Sequence, residues 1–183
     1  MRATIRLTNG KLFDLLDPQP ELFGMQEIAW SLGHQCRFGG HCSEFYSVAE
    51  HSVLCSWSPL LLDDDERRAV LLHDAAEAFV GDVVRPLKQL IPEFDVIESR
   101  VLAVIATKYG IDFVKHASAI KSADNDLLEF EIGQLFFNTD SESEDESVEL
   151  RSVSKLLCLP PQKAATFFLA EAARLGLPLT TDH

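Results

Sequence analysis

One apolar stretch of the chain reads Leu71-Leu72-His73-Asp74-Ala75-Ala76-Glu77 and carries three ionisable side chains. An acidic run precedes it, which suits the positive end of a helix, and apolar residues at helical spacing predict that this helix continues to about Gly81. In such a helix His73 and Glu77 are four residues apart, and Asp74 and Glu77 are three apart, so all three face one side. Burial of these charged groups without a partner would cost free energy, and a metal ion would offset the negative charge of the carboxylates.

Three ionisable residues on neighbouring segments extend this set, namely His51, Asp82 and Asp124. Ser47-Val48-Ala49-Glu50 has the form of a capping box, which predicts a helix with His51 in its second turn. Asp124 lies on a helix predicted over about 117–137. Two imidazoles and two carboxylates from three helices can then converge on one divalent cation. Mixed nitrogen and oxygen ligation favours Mn, Co, Fe, Ni or Zn over Mg.

The remaining segments predict a mainly α fold with a small N-terminal β-hairpin. Asn9-Gly10 in an alternating segment predicts a hairpin with a type I′ turn, because Asn-Gly suits that turn. We find no internal repeat and no linker, so residues 1–183 are expected to form a single domain. The predicted elements are a hairpin at about 4–14, helices at about 25–33, 96–110 and 162–175, and a solvated acidic loop at about 138–149.

Charge and cysteine content exclude several classes of protein. The 183 residues carry 29 acidic and 16 basic side chains, a formal net charge of −13 at pH 7. This balance argues against a nucleic-acid polymer or a membrane surface as partner, whereas a small phosphorylated substrate would need local Arg or Lys side chains or a metal. The four cysteines form no CxxC pair, and we find neither a signal peptide nor a membrane span in the sequence. We therefore expect a cytoplasmic protein.

Five stretches of the sequence carry a recognisable order and spacing, namely CRFGGH (36–41), YSVAEHS (46–52), LHDAAEA (72–78), GDVVRPLK (81–88) and AD (123–124). In both order and spacing they resemble the HD-domain phosphohydrolase superfamily. The resemblance covers about residues 10–135 and looks closest to the small bacterial and phage HD hydrolases and the 5′-deoxynucleotidases. It implies an HD-type helical bundle, and it also suggests a homo-oligomer. A Gly-Tyr-Pro signature is missing after the His-Asp region, which counts against the cyclic-dinucleotide branch.

The resemblance implies a ligand set and a catalytic pair. Asp126 competes with Asp124 for one ligand position, but Asp124 follows Ala123 as in the family pattern and is preferred. The implied metal ligands are His51, His73, Asp74 and Asp124, and the residues implied to act around the cation-activated water or a second cation are Glu77 and Asp82.

The matching stretches also contain candidates for substrate binding. The phosphate oxygens need positive partners, and the candidates are Arg37, Arg85 and Lys88, with His41 a weaker one. The resemblance favours Arg37 together with Lys88. Phe38 either stacks on a nucleobase or sugar, as an aromatic beside this arginine does in the resembling deoxynucleotidases, or packs in the core.

The function expected from this resemblance is metal-dependent hydrolysis of a nucleotide phosphate ester. A nucleoside 5′-monophosphate is the favoured substrate, with Glu77 as the proton acceptor or donor. A triphosphohydrolase acting on nucleoside triphosphates is the first alternative, and a (p)ppGpp hydrolase is a weaker one. A non-enzymatic nucleotide-sensing module on the same scaffold is the alternative from another class.

Overall fold

A computed structural model describes residues 3–136 and 155–180 of the chain, and it is mainly helical with a small N-terminal hairpin, as predicted. Within these ranges the helices account for most of the chain, and both strands belong to the hairpin. The elements are β1 (Thr4–Arg6), β2 (Leu12–Asp14), α1 (Met25–His34), α2 (Val48–Ser56), α3 (Asp64–Leu71), α4 (Glu77–Val80), α5 (Arg85–Lys88), α6 (Pro92–Tyr109), α7 (Ala117–Leu135) and α8 (Pro161–Arg174), with short 3-10 turns at Pro20–Leu22 and Arg37–Gly40.

The hairpin pairs β1 with β2 in antiparallel register, with Ile5 opposite Phe13. The predicted type I′ turn is wrong, because that turn needs positive φ at both central residues and only Gly10 has it, at +82°. The side-chain oxygen of Asn9 instead accepts a hydrogen bond from the Lys11 amide at 2.9 Å. This Asx-type contact closes the loop with one left-handed residue rather than two.

Helix α2 lies at the centre of the fold, and all nine of its residues are buried. It packs against α1, α3, α7 and α8. Ser47 caps it as predicted, since its hydroxyl accepts a hydrogen bond from the Glu50 amide at 3.1 Å. The second half of the capping box is absent, because the Glu50 carboxylate accepts bonds from the backbone amides of residues 157–159 instead. The segment before α8 is thereby tied to α2.

The predicted single helix through residues 72–81 is wrong, because α3 ends at Leu71 and α4 begins at Glu77. The turn between them contains His73 and Asp74. The carbonyl of Val70 accepts bonds from both the amide of His73 and its imidazole Nδ1, at 3.3 and 2.6 Å. In a continuous α-helix that carbonyl would bind the amide of Asp74, so the His73 side chain replaces the helical bond and the chain tightens into turns.

The other helix predictions are confirmed to within a few residues by α1, α6, α7 and α8. The predicted acidic loop at 138–149 lies outside the described residues. In the part of the chain that the structure describes, no helix combines the length and the apolar character needed to cross a bilayer.

Candidate metal centre

Three side chains from three different segments bring potential metal ligands together. His51 lies on α2, His73 on the turn after α3, and Asp124 on α7, and one ligand atom from each lies within 4.8 Å of the other two. The His51 Nε2 is 3.3 Å from Asp124 Oδ1, and the two imidazole rings are 5.4 Å apart between centroids. Two imidazole nitrogens and a carboxylate oxygen fit a first-row divalent cation, so the residues present suit the predicted cofactor.

The hydrogen bonds of both imidazoles leave the same nitrogen directed at this point. His73 Nδ1 lies 2.6 Å from the carbonyl oxygen of Val70, and His51 Nδ1 lies 2.6 Å from Glu131 Oε1. A carbonyl and an ionised carboxylate can only accept hydrogen bonds, so each Nδ1 donates its proton. Each Nε2 is then the nitrogen that can bind a cation, which is the arrangement found for histidine ligands of metals.

Asp74, the fourth predicted ligand, lies beside this group and contacts both histidines. Its Oδ2 is 3.1 Å from His73 Nε2 and 3.6 Å from His51 Nε2. Burial raises the pKa of Asp74, but His73, His51 and Arg37 outweigh this effect and hold the pKa well below its ordinary value. Asp74 is therefore ionised and close enough to share a cation with the two imidazoles.

Sequence reasoning missed a fully buried carboxylate behind the site, Glu131 on α7. Its Oε1 accepts from His51 Nδ1, and its Oε2 accepts from Arg37 Nη2 at 3.0 Å. Burial raises the pKa of Glu131, but His51 and Arg37 outweigh burial and hold the pKa below its ordinary value, so the group is ionised. The available signal was spacing, because Glu131 follows Asp124 by seven residues and therefore lies on the same face of the helix.

A pocket of about 850 Å³ opens in front of these groups, a size that suits a small organic ligand. Nine of the ten predicted site residues line it, and the tenth, His51, is fully buried behind it. Side chains that sequence reasoning did not assign to the site also line it, including Leu102, Phe113, Ile120, Lys121, Asn125, Leu128 and Phe136.

Glu77 and Asp82, the predicted catalytic pair, enclose one side of the pocket. One oxygen of Glu77 is 3.2 Å from Lys88 Nζ, and the other is buried without a hydrogen-bond partner among the described residues. Burial, Asp74 and Asp82 raise the pKa of Glu77 to about 9, against the opposite effect of Lys88. A cation at the site would add positive charge and lower this pKa.

The position of this pair depends on Gln35, which sequence reasoning also missed. Its side-chain amide donates to the carbonyl of Glu77 at 2.9 Å, and its amide oxygen accepts from the backbone of Asp82 at 2.8 Å. Gly81, with φ of +87°, allows the sharp turn that this clamp closes. No sequence spacing predicts this contact, because more than 40 residues separate Gln35 from both partners.

The four cations that line the pocket differ in how they are paired. Arg37 faces Glu131 and Asp74, and Lys88 binds Glu77 and Glu98 at 3.2 and 2.7 Å. Arg85 and Lys121, by contrast, make no ion pair with any residue in the described ranges, and both are exposed. The pair favoured by resemblance is thus partly neutralised by neighbouring carboxylates, whereas Arg85 and Lys121 line the pocket without such a partner in the described ranges.

Phe38 is partly buried and lies between the apolar interior and the pocket, and its stacking on a nucleobase or sugar stays a prediction. Its ring packs edge-on against Phe136 at 5.2 Å between centroids, and it also lines the pocket. The Arg37 guanidinium lies 5.2 Å from the same ring. The backbone of Phe38 has φ of +58°, which costs conformational energy at a residue other than glycine and turns the loop at the mouth of the pocket.

Fold and site together define a mainly helical protein with a candidate His and carboxylate metal centre. The chain is 43% identical over 124 residues to the uncharacterized protein YfdR of Escherichia coli K12, covering 68% of this chain and 67% of YfdR. It is 32% identical over 181 residues to the uncharacterized protein RCAP_rcc00048 of Rhodobacter capsulatus, covering 91% of this chain and 92% of that protein. The chain belongs to the family of these proteins. No protein-family model matches it.

Proposed function

We propose that this protein is a divalent-metal-dependent phosphohydrolase of the HD-domain superfamily that cleaves the phosphate ester of a nucleoside 5′-monophosphate. One observation carries the proposal, namely the convergence of His51, His73 and Asp124 at the inner end of a large pocket. His51, His73, Asp74 and Asp124 would hold the cation, and Mn, Co, Fe, Ni or Zn suits this donor set better than Mg. Such a cation supplies Lewis acidity at phosphorus and lowers the pKa of water toward neutrality.

The chain's own residues have separate tasks in this reaction. Glu77 lies on the wall beside the metal ligands and would accept or donate the proton, and Asp82 would act with it around the activated water or a second cation. Arg37, Arg85 and Lys88 would hold phosphate oxygens, and Phe38 would pack against the sugar or base. The apolar wall of Leu102, Phe113, Ile120 and Leu128 would exclude water from the organic part of the substrate.

A nucleoside triphosphate is the second candidate substrate, and one observation favours it. Arg85 and Lys121 have no carboxylate partner in the described part of the chain, so they are available for phosphates beyond the one at the metal. The reducing cytoplasm suits the protein in either case, because its four cysteines are free. A homo-oligomer belongs to the same proposal, and analytical ultracentrifugation measures it.

The test is the release of phosphate, pyrophosphate and triphosphate from nucleoside mono-, di- and triphosphates. Protein stripped with EDTA would be resupplied separately with Mn, Co, Ni, Zn or Mg. We expect activity to return with a transition metal, and His73→Ala to lower both metal content and turnover by at least about 100-fold. His34→Ala is the matched control, because His34 is exposed and stacks on Trp30 away from the pocket. Undiminished turnover of His73→Ala would reject the proposal.

A further inference from the structure

Glu131 joins the metal centre to the phosphate side of the pocket through a single carboxylate. The side chain is completely buried, and its two oxygens contact side chains of different kinds. Oε1 lies 2.6 Å from the His51 imidazole, and Oε2 lies 3.0 Å from the Arg37 guanidinium. A buried carboxylate is costly unless both oxygens are satisfied, so these contacts compensate the charge and constrain both partners.

The contact with His51 decides which imidazole nitrogen faces the candidate metal site. The carboxylate only accepts, so it keeps a proton on Nδ1 and leaves Nε2 as the nitrogen that can bind a cation. Nε2 is the atom that lies near Asp124 and Asp74, at 3.3 and 3.6 Å. The opposite tautomer would place a proton between the histidine and the cation.

The contact with Arg37 holds a cation at the wall of the pocket. The Arg37 side chain is only 12% exposed, and its Nη1 lies 3.8 Å from Asp74 while its Nη2 binds Glu131. Its Nε has no hydrogen-bond partner in the described part of the chain. The 3.0 Å bond to Glu131 is shorter than the 3.8 Å contact with Asp74, so Glu131 contributes most to fixing the guanidinium. Without that contact the arginine would adopt other rotamers.

We propose that Glu131 is the positioning residue of this site, fixing the tautomer of His51 and the orientation of Arg37 with one carboxylate. The inference rests on the proposed function only where it treats Arg37 as a substrate contact. An amide in place of this carboxylate cannot serve both partners, because it has one accepting oxygen and one donating nitrogen. Glu131→Gln therefore either presents a donor to Arg37 or favours the wrong tautomer of His51.

The first experiment measures Mn²⁺ affinity by titration calorimetry on metal-free protein. We expect Glu131→Gln to weaken binding by about 10- to 100-fold, the usual effect of losing a partner of a ligating histidine. Glu50→Gln is the matched control, since Glu50 is also a fully buried glutamate, lies next to His51, and binds only backbone amides. Its Mn²⁺ affinity should stay within about threefold of the unmodified protein. Equal affinities of Glu131→Gln and the unmodified protein would overturn the inference.

A second measurement needs no variant and therefore does not depend on whether Glu131→Gln folds. Long-range ¹H–¹⁵N correlation spectra of Zn²⁺-loaded protein labelled at histidine report which nitrogen of His51 carries the proton. We expect the proton on Nδ1, and a proton on Nε2 would refute the inference. Metal affinity and tautomer are independent of turnover, so a protein that binds the metal but hydrolyses no nucleotide would reject the proposed function alone.

Discussion

Replacement of Gly33 by alanine tests the close crossing of α1 and α8. A Cβ at this position would lie 2.7 Å from the carbonyl oxygen of Pro161, 2.9 Å from the amide nitrogen of Ala165 and 3.0 Å from its Cβ. Comfortable contacts between such atoms are about 3.5 Å or longer, so the helices would have to separate by roughly 0.5–1 Å. Two of the three obstructing atoms belong to the backbone of α8 and cannot rotate away.

Two opposing effects determine the free energy of unfolding of Gly33→Ala. Alanine gains at most about 1 kcal/mol over glycine in a helix, and less here because Gly33 is in the last turn of α1. Overpacking of a close-packed interior costs about 1–3 kcal/mol, with the upper half expected where backbone must move. We expect a net loss of about 1–2 kcal/mol, which lowers the Tm of a protein of this size by about 2–8 °C.

Urea and thermal unfolding of three proteins measure this loss. The control is Gly133→Ala in α7, because a Cβ there meets no atom within 4 Å. Only the propensity gain remains in the control, so we expect it to be stabilised by up to about 1 kcal/mol. A Gly33→Ala protein as stable as the original, with Gly133→Ala behaving as expected, would refute the close packing of α1 on α8.

Three further predictions concern charges that are buried or that line the pocket. Glu50→Gln should lose about 1–2 kcal/mol of unfolding free energy in urea, because the single carbonyl oxygen of glutamine cannot accept from all three backbone amides; a change below about 0.5 kcal/mol would contradict this. Burial raises the pKa of Glu171, but hydrogen bonds and charge contacts with Arg174 and other partners outweigh burial, so the pKa in the folded protein lies below its ordinary value. The carboxylate of Glu171 therefore stabilises the fold above the pKa of the unfolded chain, and this contribution is lost as the pH falls through the pKa of the folded protein. The stability difference between the unmodified protein and Glu171→Gln should thus shrink below about pH 4, and a gap independent of pH would count against it. Lys121→Ala should raise the KM for the accepted nucleotide about 3- to 10-fold with kcat little changed, whereas exposed Lys163→Ala on α8 should alter neither.

The long helices could be predicted from sequence because each has to bury one face. Apolar residues recur at helical spacing over α1, α6, α7 and α8, and the predicted boundaries differ from the observed ones by only a few residues. The break at residues 72–76 follows from one side-chain contact, the imidazole of His73 on the carbonyl of Val70. Periodicity carries no information on such a contact, and the short helix α4 is below the length at which periodicity can be recognised.

The candidate site could be predicted only where residue type and spacing carry chemistry. His and Asp side chains in apolar surroundings drew attention to His51, His73 and Asp74, and the structure brings them together. Gln35 and Glu131 could not be assigned in the same way, since their importance depends on partners 42 to 94 residues distant. Many types of polar residue can orient a neighbouring side chain, so the residues with this role are identified only once the tertiary contacts are known.

Two basic side chains of the site are paired with carboxylates, and carboxylate oxygens face imidazole nitrogens at its centre. Lys88 offsets Glu77, and Arg37 offsets Glu131 and, from 3.8 Å, the same Oδ2 of Asp74 that faces the two histidines. At the centre, the Nε2 atoms of His51 and His73 face carboxylate oxygens at distances of 3.1 to 3.6 Å. Acceptors that face one another repel unless a proton or a cation lies between them, and a divalent cation would satisfy all of them at once. The fold thus maintains an arrangement whose electrostatic cost a bound metal would relieve.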